Sequence, residues 1–218
     1  MRLRSTLRLV PPALALGALG AIRARAEEAP RRLIAFGDSI TSGYLAAHPY
    51  AVQLAAARQR PLVNFAVAGS HAAEQRQAIA AAAASITADD WVVWLAGYND
   101  MRAGTPLAAL RATIDAALTE LRGRTEWIWL GNCLRMTAAG YALPVGPYGS
   151  DARVAAINAE LAAAADAAGV ILVDTCAAYD PANVLADLVH PNDTGHRQIA
   201  QAFARATALT IWQPLATQ

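Results

Sequence analysis

Five short, almost wholly apolar runs recur along the chain, each followed by a longer alanine-rich stretch. This alternation constrains the fold more than any other feature. The runs are residues 33–36, 61–67, 91–96, 126–130 and 170–173. A strand with one wet face alternates apolar and polar residues, so continuous apolar runs predict strands covered on both faces. The stretches 49–58, 72–86, 106–122, 151–168 and 193–209 predict helices, with Thr105 and Ser150 as N-terminal caps and Gly123 and Gly169 just past two C-termini. Strands separated by helices in this way build a parallel, doubly wound α/β sheet with right-handed crossovers. At 218 residues the chain holds one such domain. No internal repeat is present. Residues 136–149, with three glycines and two prolines, form the longest irregular stretch and are the expected rim of a cleft.

Composition removes several enzyme classes. All 18 basic residues are arginine. A phosphate-binding loop with its lysine, a lysine Schiff base and a Ser–Lys dyad are therefore excluded. Two cysteines and four histidines cannot build a cysteine-rich zinc module. The net charge of +1 is unevenly spread. Residues 1–26 hold five arginines and no acid, leaving 13 arginines against all 17 acids. The acidic remainder has no basic stripe for nucleic acid, so none is expected as a partner.

The first 26 residues have the layout of a signal peptide: a basic start, an apolar run over 9–22, then Ala24-Arg25-Ala26 before Glu27. That run is shorter than the roughly 20 residues needed to span a bilayer. The expectation is a signal peptide over 1–26, cleavage near Ala26, a single domain over 27–218, export to the periplasm or medium, and no stable membrane insertion of the mature chain.

In a doubly wound sheet, ligands bind beyond the carboxyl ends of the strands. The first apolar run is followed there by Gly37-Asp38-Ser39-Ile40-Thr41, the second by Ala68-Gly69-Ser70 and the third by Gly97-Tyr98-Asn99-Asp100. After the fifth, past an irregular stretch, comes Asp187-Leu188-Val189-His190-Pro191-Asn192. An Asp three residues before a His on one loop can fold back on the imidazole and fix its tautomer. A serine, a base, an orienting acid and several N–H donors are the inventory for acyl transfer through a covalent intermediate. Singly, each piece is ordinary, since Gly-Asp-Ser is usually only a turn.

Together, in this order and spacing, the four blocks resemble the SGNH hydrolases, the GDSL family of esterases and lipases, over about residues 32–209. The resemblance implies a three-layer α/β/α sandwich with a five-stranded parallel sheet in the flavodoxin-like order 2-1-3-4-5. It implies Ser39 as nucleophile, His190 as its general base and Asp187 as the acid that holds the imidazole. The oxyanion hole would be the N–H groups of Ser39 and Gly69 with the side-chain amide of Asn99. Asp38 and Asp100 read as supports of loop geometry. Tyr98, at a position often small in the family, is expected to narrow or line the acyl site. No cofactor or metal is implied. The partner is a small-molecule ester with a short to medium acyl group, and a monomer is the default. Thioesterase, lysophospholipase and carbohydrate O-deacetylase activities, O-acyl transfer on the same triad, and a non-catalytic glycan-binding domain stay open as alternatives.

The remaining polar residues read as structural. Surface or capping roles suit His48, His71 and His196, Asp89-Asp90 suits a solvated turn, and Asp174 suits a structural role at the end of strand five. The tryptophans read mainly as core. In a 2-1-3-4-5 sheet, strands four and five are neighbours about 4.8 Å apart. Cys133 and Cys176 then lie at one edge, within reach of a disulfide that an oxidising compartment would favour.

Overall fold

The apolar runs form the five strands of one parallel sheet. The computed structural model describes residues 32–144 and 146–211, so the expected signal peptide lies outside the described residues. Strands β1 (Leu33–Phe36), β2 (Leu62–Asn64), β3 (Trp91–Leu95), β4 (Ile128–Gly131) and β5 (Ile171–Val173) are ordered β2-β1-β3-β4-β5. All four pairings are parallel, with Leu33 opposite both Leu62 and Trp91, Val92 opposite Ile128 and Trp129 opposite Ile171. This is the expected order.

Burial follows position in the sheet. Every residue of the inner strands β1, β3 and β4 is buried, whereas the edge strands β2 and β5 are partly exposed. Trp91, Trp94 and Trp129 fill the core with β-propensity side chains that suit a sheet covered on both faces.

The covering helices are α2 (Tyr50–Ala57), α3 (Ala72–Ala82), α5 (Leu107–Arg122), α7 (Asp151–Ala168) and α9 (Asp193–Ile211). Helix α5 packs between α3 and α7, and α9 packs on α2, β4 and β5. In α5 the buried residues Leu110, Ile114, Ala117, Leu118 and Leu121 fall at helical spacing and make one apolar stripe. Ser150 caps α7 by accepting from the Arg153 N–H, and Gly169 ends it in the left-handed conformation. The cap expected from Thr105 is not made. Pro106 occupies that position, with no side-chain hydrogen bond.

Four short helices were not visible as apolar runs: α1 (Ser39–Ser42), α4 (Tyr98–Ala103), α6 (Ala138–Tyr141) and α8 (Thr175–Ala178). Each is held by loop or cap hydrogen bonds, which leave no periodic trace in a sequence.

Three expectations are corrected. Asp90 is not solvated but buried, and accepts from Arg32 Nε at 2.9 Å and from the Thr87 N–H and hydroxyl. Arg32 and Asp90 stand immediately before β1 and β3, and this pair fastens the two strands where they enter the sheet. His196 is not a surface residue. It is fully buried, its Nδ1 accepting from the Tyr50 N–H at 3.2 Å. Cys133 and Cys176 are free thiols. Cys133 is fully buried facing Gly97, and Asn158 bonds both its N–H and its carbonyl. The Cys176 thiol is engaged by Arg135 and by that same Asn158 instead.

Candidate active site

The site starts at the end of β1. Gly37 has φ 152°, and a Cβ there would lie 2.1 Å from Thr41 Oγ1, so only glycine lets the chain turn this closely into α1. Asp38 is the N-cap of that helix, its Oδ1 accepting from the Ile40 N–H at 2.9 Å. Ser39 therefore opens a one-turn helix and is 8% exposed. Burial pushes the Asp38 carboxyl up to about 7, the Ile40 N–H opposing that rise and the nearby Asp100 charge adding to it.

The loop between α8 and α9 brings the other two residues. It folds as a tight hairpin in which Val184 pairs antiparallel with Pro191 and the Leu185 N–H donates to the His190 carbonyl at 2.8 Å. Asp187 Oδ1 accepts from the N–H groups of Val189 and His190 at 2.9 and 3.0 Å, while its Oδ2 lies 2.6 Å from His190 Nδ1. Burial works to raise the Asp187 pKa, but the His190 N–H, the imidazole and the Val189 N–H outweigh it and hold the carboxyl below its usual range. His190 Nε2 lies 2.9 Å from Ser39 Oγ. Asp187, His190 and Ser39 thus form one unbroken hydrogen-bonded series. With Nδ1 donating to the carboxylate, Nε2 is left as the acceptor facing the hydroxyl.

Two further strand ends face the same space. Gly69 has φ 79°, and a Cβ there would meet no heavy atom within 4 Å, so its backbone borders an open volume. Asn99, on α4 after β3, donates from Nδ2 to the Ser70 carbonyl at 3.0 Å and approaches Asp38 Oδ2 at 3.4 Å. The second contact is long, so a stronger acceptor can take that N–H. Ser70 is itself fixed from behind: the Trp94 indole donates to Gln75 Oε1 at 2.7 Å, and Gln75 Nε2 donates to the Ser70 carbonyl at 3.2 Å. Asp100, buried, accepts from the Ala72 N–H at 2.9 Å and ties α4 to the start of α3.

These residues border a cavity of about 370 Å³ lined by Ser39, Tyr44, Ala68, Gly69, Asn99, Arg102, Val189 and His190. Sequence reasoning missed Tyr44 and Arg102. Arg102 had a signal, lying one helical turn after Asn99 on the same face. Tyr98 does not line the cavity as expected. It is buried, its hydroxyl donating to the Val189 carbonyl at 2.8 Å. The expected cleft rim contributes indirectly, since a Cβ on Gly140 would come within 2.7 Å of the Leu188 carbonyl.

Residues 35–198 match the GDSL-like lipase/acylhydrolase family. The chain belongs to that family. The GDSL-like lipases and acylhydrolases hydrolyse ester bonds, and this chain is one of these enzymes. No curated protein matches it by sequence. Among solved structures, the lipase/acylhydrolase from Enterococcus faecalis superimposes with TM-score 0.69 at 20% identity, over 83% of this chain and 96% of that one. A G-D-S-L lipolytic protein from Veillonella parvula gives 0.66 at 20%, over 85% and 100%. An acetylxylan esterase from Geobacillus stearothermophilus, solved as a catalytic mutant, gives 0.63 at 20%, over 81% and 94%. At these identities the likeness is one of fold. Among the described residues no helix is long and apolar enough to cross a membrane.

Proposed function

We propose that this GDSL hydrolase is a serine esterase for carboxylic esters with short to medium acyl groups. The observation that carries the proposal is the series Ser39 Oγ–His190 Nε2–Asp187 at the wall of a cavity bordered by Gly69 and Asn99. Ser39 Oγ attacks the ester carbonyl carbon and its proton passes to His190 Nε2, which Asp187 holds in place as the imidazolium forms. The carbonyl oxygen becomes an oxyanion that meets the N–H groups of Ser39 and Gly69 and the Nδ2 of Asn99. Each well-aimed donor stabilises it by on the order of 3 kcal/mol. The bond to the alcohol oxygen then breaks as Nε2 returns the proton to it. Water, activated by the same nitrogen, releases the acid and restores Ser39. The solved catalytic mutants of the Geobacillus acetylxylan esterase replace a serine and a histidine by alanine, which supports the Ser–His pairing. The cavity of about 370 Å³ suits a short to medium acyl group. The layout of residues 1–26 supports export of the mature domain, which cell fractionation checks.

The test is Ser39→Ala. It should abolish hydrolysis of p-nitrophenyl acetate and covalent labelling by an organophosphate, with the melting temperature little changed. A Ser39→Ala protein that turns over this ester at the wild-type rate refutes the assignment.

A further inference from the structure

An esterase meets the two halves of its substrate with different groups. On the mechanism above, the oxyanion lies toward Gly69 and Asn99, whereas the alcohol oxygen must come within hydrogen-bond reach of His190 Nε2 to receive its proton. Whatever stands beside that imidazole therefore meets the alcohol half.

Tyr44 stands there. Its ring centroid is 4.9 Å from that of His190, the planes tilted by 53°, and the residue lines the same cavity while remaining 51% exposed. Its place is fixed by backbone bonds. The Gly43 and Tyr44 N–H groups both donate to the Ser39 carbonyl, at 3.1 and 2.9 Å, so the segment turns back directly beside the serine. A few residues on, the Ala47 and His48 N–H groups both donate to Asp193 Oδ1 at 3.1 Å. A ring carried on a segment whose backbone is pinned at both ends, yet half in water, serves the core little and offers a flat surface beside the imidazole. Leu45, next in the chain and 63% exposed, lines a second cleft of about 340 Å³ with Ala47 and Leu185.

We infer that Tyr44 determines specificity for the alcohol half of the ester, receiving it against its ring, and that the favoured substrates are esters of alcohols with a flat apolar ring face, a pyranose or an aryl ring. This rests on the proposed serine esterase reaction. Such a face stacks on tyrosine, and a simple alkyl chain gains much less from it.

The test uses three acetates that share one acyl group: ethyl acetate, phenyl acetate and an acetylated methyl pyranoside. Tyr44→Ala should lower kcat/KM for the two ring alcohols about tenfold more than for ethyl acetate. Tyr44→Phe and Tyr44→Trp should keep the wild-type ratios. Loss on only the sugar or only the aryl ester identifies which ring is taken. An equal loss on all three would mean that the ring merely packs on His190, and no loss would mean that it touches no substrate; either overturns the inference while leaving the esterase standing. Should Tyr44→Ala fail to fold, Tyr44→Leu carries the same comparison. A wild-type protein that hydrolyses none of the three and takes no organophosphate on Ser39 overturns the esterase reading, and this inference with it.

Discussion

The hydroxyl of Tyr98 donates to the carbonyl of Val189 at 2.8 Å, fastening α4, which carries Asn99, to the loop that carries His190. Both ends of the proposed reaction, the oxyanion donor and the proton carrier, are thereby referred to one buried phenol. Tyr98→Phe removes this bond and little volume. A neutral buried hydrogen bond is worth about 1 kcal/mol, and its loss also leaves the Val189 carbonyl unpaired. The expected result is a fall in kcat of about fivefold to tenfold with KM nearly constant, because the base shifts relative to Ser39 while the cavity walls stay. Unchanged kcat beside a lowered melting temperature would make Tyr98 a purely structural residue.

Asn99 offers a sharper test of the oxyanion assignment. Its amide is oriented by the Ser70 carbonyl, and that carbonyl is held through Gln75 by the Trp94 indole. Asn99→Ala should lower kcat by about 100-fold or more, with a smaller effect on KM, since the donor matters most when charge has formed on the carbonyl oxygen. Steady-state kinetics on p-nitrophenyl acetate decide it; a raised KM with kcat intact would assign Asn99 to ground-state binding.

The sheet was legible because Leu33, Ile34, Ala35 and Phe36, like Trp91 to Leu95, are apolar without interruption, and only a strand covered on both faces tolerates that. The edges were less legible. The run 61–67 yields a strand of three residues, but its backbone keeps pairing irregularly, Phe65 to Ala35 and Val67 to Gly37, on the way to Gly69. The four blocks stood out because the proposed chemistry requires particular residue types at strand ends. Tyr98 and His196 were misjudged for a common reason. A hydroxyl or imidazole that bonds to the backbone of a segment some 90 or 146 residues away leaves no local mark. Tyr44 escaped because its placement depends on the one-turn helix α1 ending where it does, at Gly43.

His196 predicts a loss of stability in acid. Burial pushes its pKa down to about 4, Asp193 opposing and His190 adding to the fall. With Nδ1 accepting from the Tyr50 N–H, the neutral ring carries its proton on the buried Nε2, and a second proton would have to go to Nδ1, where it would face that N–H donor. The sign follows from linkage. The unfolded imidazole takes up a proton near pH 6.5 and the folded one only near pH 4, so the stabilisation is complete above about pH 6.5 and drains away between there and pH 4. A shift of this size corresponds to on the order of 3 kcal/mol. His196→Asn, whose Oδ1 can still accept from the Tyr50 N–H, should be less stable at pH 7 but should lose much less on acidification. Denaturant midpoints at pH 7, 5.5 and 4.5 measure it; parallel slopes for the two proteins would assign the acid sensitivity to other groups.

The cysteines give the last prediction. Burial raises the Cys133 thiol well above its ordinary value, with neighbouring Cys176 and the Asp38 and Asp100 charges adding to it, and burial also raises Cys176. Since the thiolate is the reactive species, both are poor nucleophiles near neutrality. They differ in access: Cys133 is fully buried and Cys176 only half-buried. Iodoacetamide should therefore modify Cys176 slowly in the folded protein and reach Cys133 only once the chain unfolds. Both should be alkylated in denaturant without prior reduction. Asn158 touches both residues, its side chain bonding the Cys133 backbone on both sides and also engaging Cys176. Asn158→Ala should then speed cross-linking of the pair by a mild oxidant. A non-reduced, unmodified Cys133–Cys176 peptide from the wild-type protein would overturn the free-thiol arrangement.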